Sequence, residues 1–155
     1  MSKKVEKIHE VGRIYAIRSS QTDDIYIGST FNTLEHRLSK HKFHYFYFSE
    51  KNSKYKCCSF EILKYPDCYI ELIEEHYNLN TKQLRKIEGE HQRKTKCVNK
   101  VIAGRTHKEW LKDNDEAVKK QKNKKFNCEC GGKYTACHRA RHLKSPLHQN
   151  YINNK

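Results

Sequence analysis

The sequence predicts an α/β body, with a small mixed or antiparallel sheet flanked by helices, followed by a small ββα-like unit rich in cysteine and histidine. Three observations carry that expectation. The stretch GRIYAIRSSQTDDIYIGST, Gly12 to Thr30, holds two short apolar runs that each carry a tyrosine, parted by a polar turn, which is the pattern of a β-hairpin. Capping-box spacing at Asn80/Gln83 and Thr106/Glu109 marks two helix starts. The last thirty or so residues gather cysteines and histidines at the spacing of metal ligands.

In chain order, Met1 to Glu10 reads as a loose basic leader. Arg13 to Arg18 and Asp24 to Ser29 are expected as strands joined by a turn over Ser19 to Asp23. Asn32-Thr33 caps a helix over Leu34 to Phe43, and the aromatic run His44 to Phe48 that follows shows no clear period. Ser59 to Tyr65 and Tyr69 to Glu75 read as two further strands, broken at Pro66-Asp67. The helix opened by Asn80 runs to about Lys94, and CVNK, Cys97 to Lys100, returns the chain to the core. A polar helix anchored by Trp110 extends from Thr106 to about Lys120. The predicted domains are therefore a body over residues 1–106, a helical basic linker over 107–125 and a Cys/His unit over 126–155.

Charge indicates the class of partner. In 155 residues, 32 Lys+Arg oppose 18 Asp+Glu, a formal charge of +14. From Lys119 to Lys155 ten cationic residues face a single acid, Glu129, so +9 of that total lies in the final stretch. Such a field collects polyanions, and nucleic acid comes first because each phosphate contact releases condensed counterions. Lys119, Lys120, Lys122, Lys124 and Lys125 are candidate DNA contacts on that ground. No apolar run is long enough to span a bilayer, and no basic helix has a wide apolar face, so a membrane is not expected as partner. Seven cysteines are an odd number, Cys57 and Cys58 are adjacent, and no export signal is visible. An intracellular, reducing compartment is expected (cytoplasm or nucleus), with thiols free or bound to metal.

Three polar residues in the body stand on or beside the stripes where apolar residues are expected. Arg37 and His41 lie four apart on the first helix, at the margin of the stripe formed by Leu34 and Leu38. A half-buried guanidinium there is suited to grip a phosphate. In QLRKIEGEHQRK the apolar face is Leu84, Ile87 and His91; Glu88 falls on it, while Arg85, Lys86, Gly89 and Glu90 cover the other side. A carboxylate aimed at a core needs a partner, for which a divalent cation and Arg37 are the candidates.

The ordered set resembles the GIY-YIG nuclease domain: RIY with Tyr15, YIG at Tyr26-Ile27-Gly28, Arg37 and His41, Glu88 on a later helix, and Asn99 in CVNK. Arg13 stands where the first glycine of the name motif would be, and His91 where an aromatic residue is common. The resemblance covers about Gly12 to Thr106; beyond it, the tail resembles mobile, homing-type endonucleases of phages and large DNA viruses. It implies an α/β nuclease that hydrolyses DNA phosphodiesters. Glu88 would hold Mg²⁺ (or Mn²⁺), Tyr15 would orient or deprotonate the attacking water with Tyr26 beside it, and Arg37 would stabilise transition-state charge. His41 would relay a proton from a pKa near neutrality, Asn99 would fix the helix or a metal-bound water, and Gly28, counted with the DNA-binding residues, would let its strand approach the site closely. The rival readings are a structure-specific repair nuclease and a DNA-binding protein without catalysis.

In the tail, Cys128-x-Cys130 and His142-x₅-His148 are separated by eleven residues. Two thiolates and two imidazoles make a closed tetrahedral zinc site, and Gly131-Gly132 allows the tight turn a Cys-x-Cys knuckle needs. Cys137 and His138 are rival ligands, since His138 and His142 share a face of the helix expected over Ala136 to Lys144. Arg139, Arg141 and Lys144 project from this unit toward phosphate or base edges.

Overall fold

Alternating isoleucine, tyrosine and polar residues build the first hairpin of the computed structural model, which describes residues 7–51, 54 and 56–154. Strand β1 (His9–Ser19) pairs antiparallel with β2 (Thr22–Thr30) on one side and with β3 (Tyr69–Leu79) on the other, giving the order β2-β1-β3. Residues 1–6 of the expected leader lie outside the described residues, and its end, His9 and Glu10, belongs to β1. The run Ile14 to Ile17 is fully buried because β1 is central and both faces of the sheet are covered.

On one face lie helices α1 (Leu34–Glu50) and α2 (Phe60–Leu63), whose side chains pack on Tyr15, Ile17 and Tyr26. On the other, α3 (Thr81–Lys94) sets Leu84 against Ile14 and Ile27. Both predicted cap residues act as such: Thr33 accepts from the His36 amide, and Asn80 and Gln83 form a reciprocal capping box. The hairpin turn is tied by Asp67, whose carboxylate accepts from the Ser19 hydroxyl at 2.6 Å, the Ser20 amide at 2.9 Å and the Gln21 amide group at 2.9 Å. Those bonds hold the Asp67 carboxyl well below the usual range.

Three expectations for the body are corrected. Helix α1 continues through the aromatic run to Glu50, because Leu34, Leu38, His41, Tyr45 and Phe48 repeat at four-three spacing and form its less exposed stripe. The strand expected at Ser59 to Tyr65 is a helical turn, α2, in which Phe60, Ile62 and Leu63 all reach the core. Gly89, assigned to the outer side of α3, is buried, and a Cβ there would lie 2.1 Å from the Ala103 carbonyl oxygen.

The chain divides into two compact units, Met1–Arg105 and Thr106–Lys155. The second opens with α4 (His107–Asp113), capped by the Thr106/Glu109 box, and α5 (Asp115–Asn123), so the expected continuous helix is broken at Asn114 and includes most of the lysine run. A short hairpin follows, β4 (Lys125–Asn127) with β5 (Lys133–Thr135). The single helix expected over Ala136 to Lys144 is a 3₁₀ turn, Ala136–His138, leading into α6 (Arg139–Leu143), and a further helix, α7 (Pro146–Asn153), carries His148. No described residue of this unit is buried. Among the described residues no helix is long and apolar enough to cross a membrane.

Candidate functional site

The body gathers its candidate residues around the outer strand β2. Register pairs Tyr15 with Gly28 and Ile17 with Tyr26, so both tyrosines rise from the same face on diagonal positions, with ring centroids 6.4 Å apart. Gly28 is what lets Tyr15 lie flat across β2: a Cβ there would fall 2.5 Å from the Tyr15 phenol oxygen. The phenol oxygen accepts from Arg37 Nε at 2.7 Å and lies 2.8 Å from His41 Nε2. His41 Nδ1 in turn lies 3.0 Å from the Ser59 hydroxyl, which donates to the Cys57 sulfur at 3.4 Å. With the serine proton directed at sulfur, Ser59 accepts from Nδ1–H, which leaves the Nε2 lone pair for the Tyr15 proton. A directed chain therefore runs from Tyr15 through His41 and Ser59 to Cys57.

Burial sets the proton affinities along this chain. It pushes the Tyr15 phenol up to about 12 against the opposing pull of Arg37, and it raises Tyr26 further still. Burial, with the Arg37 charge, lowers His41 to about 3. The expected near-neutral pKa of His41 is thus corrected: the imidazole is only 5% exposed, beside a guanidinium, and stays neutral at physiological pH. Burial works against the Arg37 charge, but the Tyr15 and Tyr26 phenols outweigh it and keep its pKa raised.

Glu88 comes from the opposite face of the sheet. Ser29 donates to one of its oxygens at 2.6 Å and Gln92 to the other at 2.8 Å, and burial raises its pKa despite those bonds and the charges of Arg85 and Arg37. Each oxygen keeps a free lone pair, so the carboxylate is fixed in direction and still able to ligate. Asn99 occupies the strand edge itself: its Oδ1 accepts from the Ile27 amide at 2.9 Å and its Nδ2 donates to the Ile27 carbonyl at 2.8 Å. Together with Val98 N–H to the Ile25 carbonyl, this covers an otherwise open sheet edge. Asn99 is engaged by backbone and positions β2.

Sequence reasoning missed Ser29, Ser59, Cys57 and Gln92. Gln92 is the most connected of them, since its Nε2 also reaches the Ile27 carbonyl at 3.4 Å and its Oε1 accepts from the Ala103 amide at 2.8 Å. Its signal was available, because Leu84, Glu88 and Gln92 recur every four residues on one face of α3. His91, read as apolar-facing, instead bonds Glu74 Oε2 on β3 at 3.0 Å.

In the second unit, ligand atoms of Cys128, Cys130, His142 and His148 all lie within 4.8 Å of one another, and this group could hold a metal ion. Cys128 Sγ is 3.4 Å from His148 Nδ1, and Cys130 Sγ is 3.4 Å from His142 Nε2. Gly131 adopts φ +80°, and the Cys128 amide bonds the Gly132 carbonyl at 2.9 Å, closing the knuckle. Gly132 cannot carry a side chain there, since a Cβ would meet His142 Cε1 at 2.7 Å. Tyr134 stacks on His142 with centroids 5.1 Å apart. The rivals stand aside: His138 Nδ1 and Cys137 Sγ lie 2.8 and 3.3 Å from the Thr135 hydroxyl.

Of the candidate DNA contacts, Gly28 is buried against the Tyr15 ring and is not available to DNA, while the cationic ones are all exposed but not equally available. Lys119 pairs with Asp115 at 2.7 Å, and Lys124 lies over the Phe126 ring. Lys120 and Lys122 sit on α5, Lys125 begins β4, Arg139 and Arg141 belong to α6, and Lys144 follows it as its C-cap.

No protein-family profile matches the chain, and no solved structure matches it. A stretch of 33 residues is 52% identical to Uncharacterized protein 019R of Invertebrate iridescent virus 6, covering 21% of this chain and 12% of the viral protein. The likeness therefore spans a small part of either molecule.

Proposed function

We propose that the protein is a divalent-metal-dependent DNA endonuclease of the GIY-YIG kind, with a zinc-holding DNA-recognition module, serving element mobility in a host cell. The observation that carries the reading is the meeting of Tyr15, Arg37 and His41 from one face of the sheet with Glu88 from the other, at the β2 edge. Nothing about the fold alone requires a half-buried guanidinium to share bonds with a buried phenol, itself bonded to a buried imidazole, beside a carboxylate.

Glu88 fits a hard cation: one oriented carboxylate suffices for Mg²⁺, which keeps several waters and takes few protein ligands. When bound, Mg²⁺ or Mn²⁺ would neutralise charge on the scissile phosphodiester. Arg37 spends only Nε on Tyr15, so its two terminal nitrogens are left to grip phosphate oxygens and to stabilise the charge that develops on them. A phosphate drawn to Arg37 also offsets the Arg37 charge, which depresses His41 less than burial does. Tyr15, its own proton held by the neutral His41 Nε2 and that ring fixed through Nδ1 by Ser59, would orient the attacking water at its phenol oxygen. Tyr26 packs beside this pair, its ring centroid 6.4 Å from that of Tyr15 and 5.4 Å from that of His41.

Zinc suits the second unit. Two thiolates at about 2.3 Å and two imidazoles at about 2.0 Å from a tetrahedral centre imply S···N separations near 3.5 Å, in line with the two 3.4 Å pairs. A unit with no buried described residue also lacks a core to hold it together otherwise. The test is incubation of the full chain with supercoiled plasmid: relaxed or linear product is expected with Mg²⁺ or Mn²⁺ and none with EDTA. Tight binding without cleavage would favour a DNA-binding protein without catalysis.

A further inference from the structure

The second unit holds a cavity of about 350 Å³ that the metal ligands do not fill. Hairpin register places Lys125 opposite Thr135 and Asn127 opposite Lys133, so two ammonium groups and a hydroxyl share one face of β4-β5. Arg141 enters from α6 and Ser145 from the turn after it, and among the described residues no carboxylate lines the space. Three cations and two hydroxyls converging on one concavity are a donor set for an anion with several oxygens. The volume lies at the lower end of the range of small-ligand sites.

The back of the cavity is His142, whose Nε2 points at Cys130. The hairpin that carries Lys125 and Lys133 is joined by the Cys128–Cys130 knuckle, and Arg141 directly precedes His142. The relative placement of the three cations is thus set by the metal ligands. We propose that this cavity is a seat for one phosphodiester group of a nucleic-acid strand, assembled only when Cys128, Cys130, His142 and His148 hold their metal. The proposal rests on the reading of this unit as the part that holds DNA, and on nothing in the nuclease body. It separates Lys133 and Arg141, which face a common point, from the many lysines that only add to the field.

Binding of a short fluorescent duplex to the full chain, measured by anisotropy in zinc-replete buffer without Mg²⁺, tests it. Lys133→Ala and Arg141→Ala should each weaken binding about five- to tenfold and lower the salt slope by about one. Lys108→Ala and Lys112→Ala, with the same charge change outside the cavity, should stay within about twofold. Lys133→Glu should be worse than Lys133→Ala, and the bound metal content of every variant checks that the unit is folded. Stripping the metal from the wild-type protein should weaken binding at least as much as both cavity substitutions together. Equal losses from the cavity and control lysines would overturn the proposal, leaving a diffuse field. Displacement of the duplex by inorganic phosphate or a mononucleotide as readily as by unlabelled duplex would also overturn it, in favour of a free phosphate ligand. A wild-type protein that binds DNA this way without cutting it leaves the proposal standing and removes the nuclease reading alone.

Discussion

Replacing Gly28 by alanine isolates the contact on which the body's site is built. The added Cβ would fall 2.5 Å from the Tyr15 phenol oxygen and 2.6 Å from Cζ. The ring cannot yield easily, because it is fully buried, is flanked by Tyr26 and His41, and has its hydroxyl held by Arg37 and His41. Overpacking of a tight core costs about 1–3 kcal/mol, and displacing the phenol breaks at least one buried hydrogen bond worth about 1 kcal/mol. Gly28→Ala should therefore destabilise the first unit by about 2–4 kcal/mol, a fall of roughly 10–20 °C in its Tm for a unit of this size. Near-ultraviolet circular dichroism of the tyrosines follows that unit's melting. In a Tyr15→Leu background the obstructing ring tip is gone, so the same substitution should cost less than about 1 kcal/mol, a coupling that only direct contact explains. An equal cost in both backgrounds would refute the reasoning.

Three further outcomes follow from the geometry. Cys128→Ser, or zinc chelation, should unfold the second unit while the Tm of the first stays within a degree or two, because all four ligands lie in 106–155; differential scanning calorimetry resolves the two. His41 at about 3 lies below its ordinary 6.5, so the unfolded chain takes up a proton that the folded one refuses as pH falls from 6.5 to 3. Stability should drop across that window by a few kcal/mol, and His41→Gln should flatten the loss in pH-dependent denaturant melts, although the raised Glu88 works in the opposite direction between its folded pKa and its ordinary 4.5. Ser59→Ala leaves the His41 Nδ1 proton without an acceptor, which costs about 1–3 kcal/mol. It should lower turnover and shift the pH–rate profile with little effect on DNA affinity, and Ser59→Thr should restore the profile.

The hairpin, the two capping boxes and the Cys/His quartet were legible in the sequence because each is local: a period of two, a three-residue box, a fixed ligand spacing. The α2 turn was not, since a short apolar run such as Phe60-Glu61-Ile62-Leu63 fits strand and helix equally, and only its packing on Tyr15 and Ile17 decides. The far half of α1 was legible in principle, but aromatic residues on its outer face, Phe43, Phe46 and Tyr47, hide the inner stripe. Arg37 and Glu88 could be chosen for their misplaced polarity, and Tyr15 for its place in the hairpin's RIY and YIG pattern. Ser59 and Ser29 could not, because a serine carries no signal until the fold sets it against His41 or Glu88. The proton affinity of His41 was misjudged for the same reason, as burial beside Arg37 is a property of the tertiary structure.

The central claim is that Glu88 serves chemistry and not folding or DNA binding. Single-turnover cleavage of supercoiled plasmid by Glu88→Gln, alongside duplex affinity and Tm, tests it most directly, since glutamine keeps the size and its carbonyl oxygen can still accept one of the two bonds, from Ser29 or from Gln92. A fall in rate of about 10²-fold or more, with affinity and Tm close to wild type, is the predicted result. Cleavage at the wild-type rate, or a loss that tracks affinity or Tm, would contradict it.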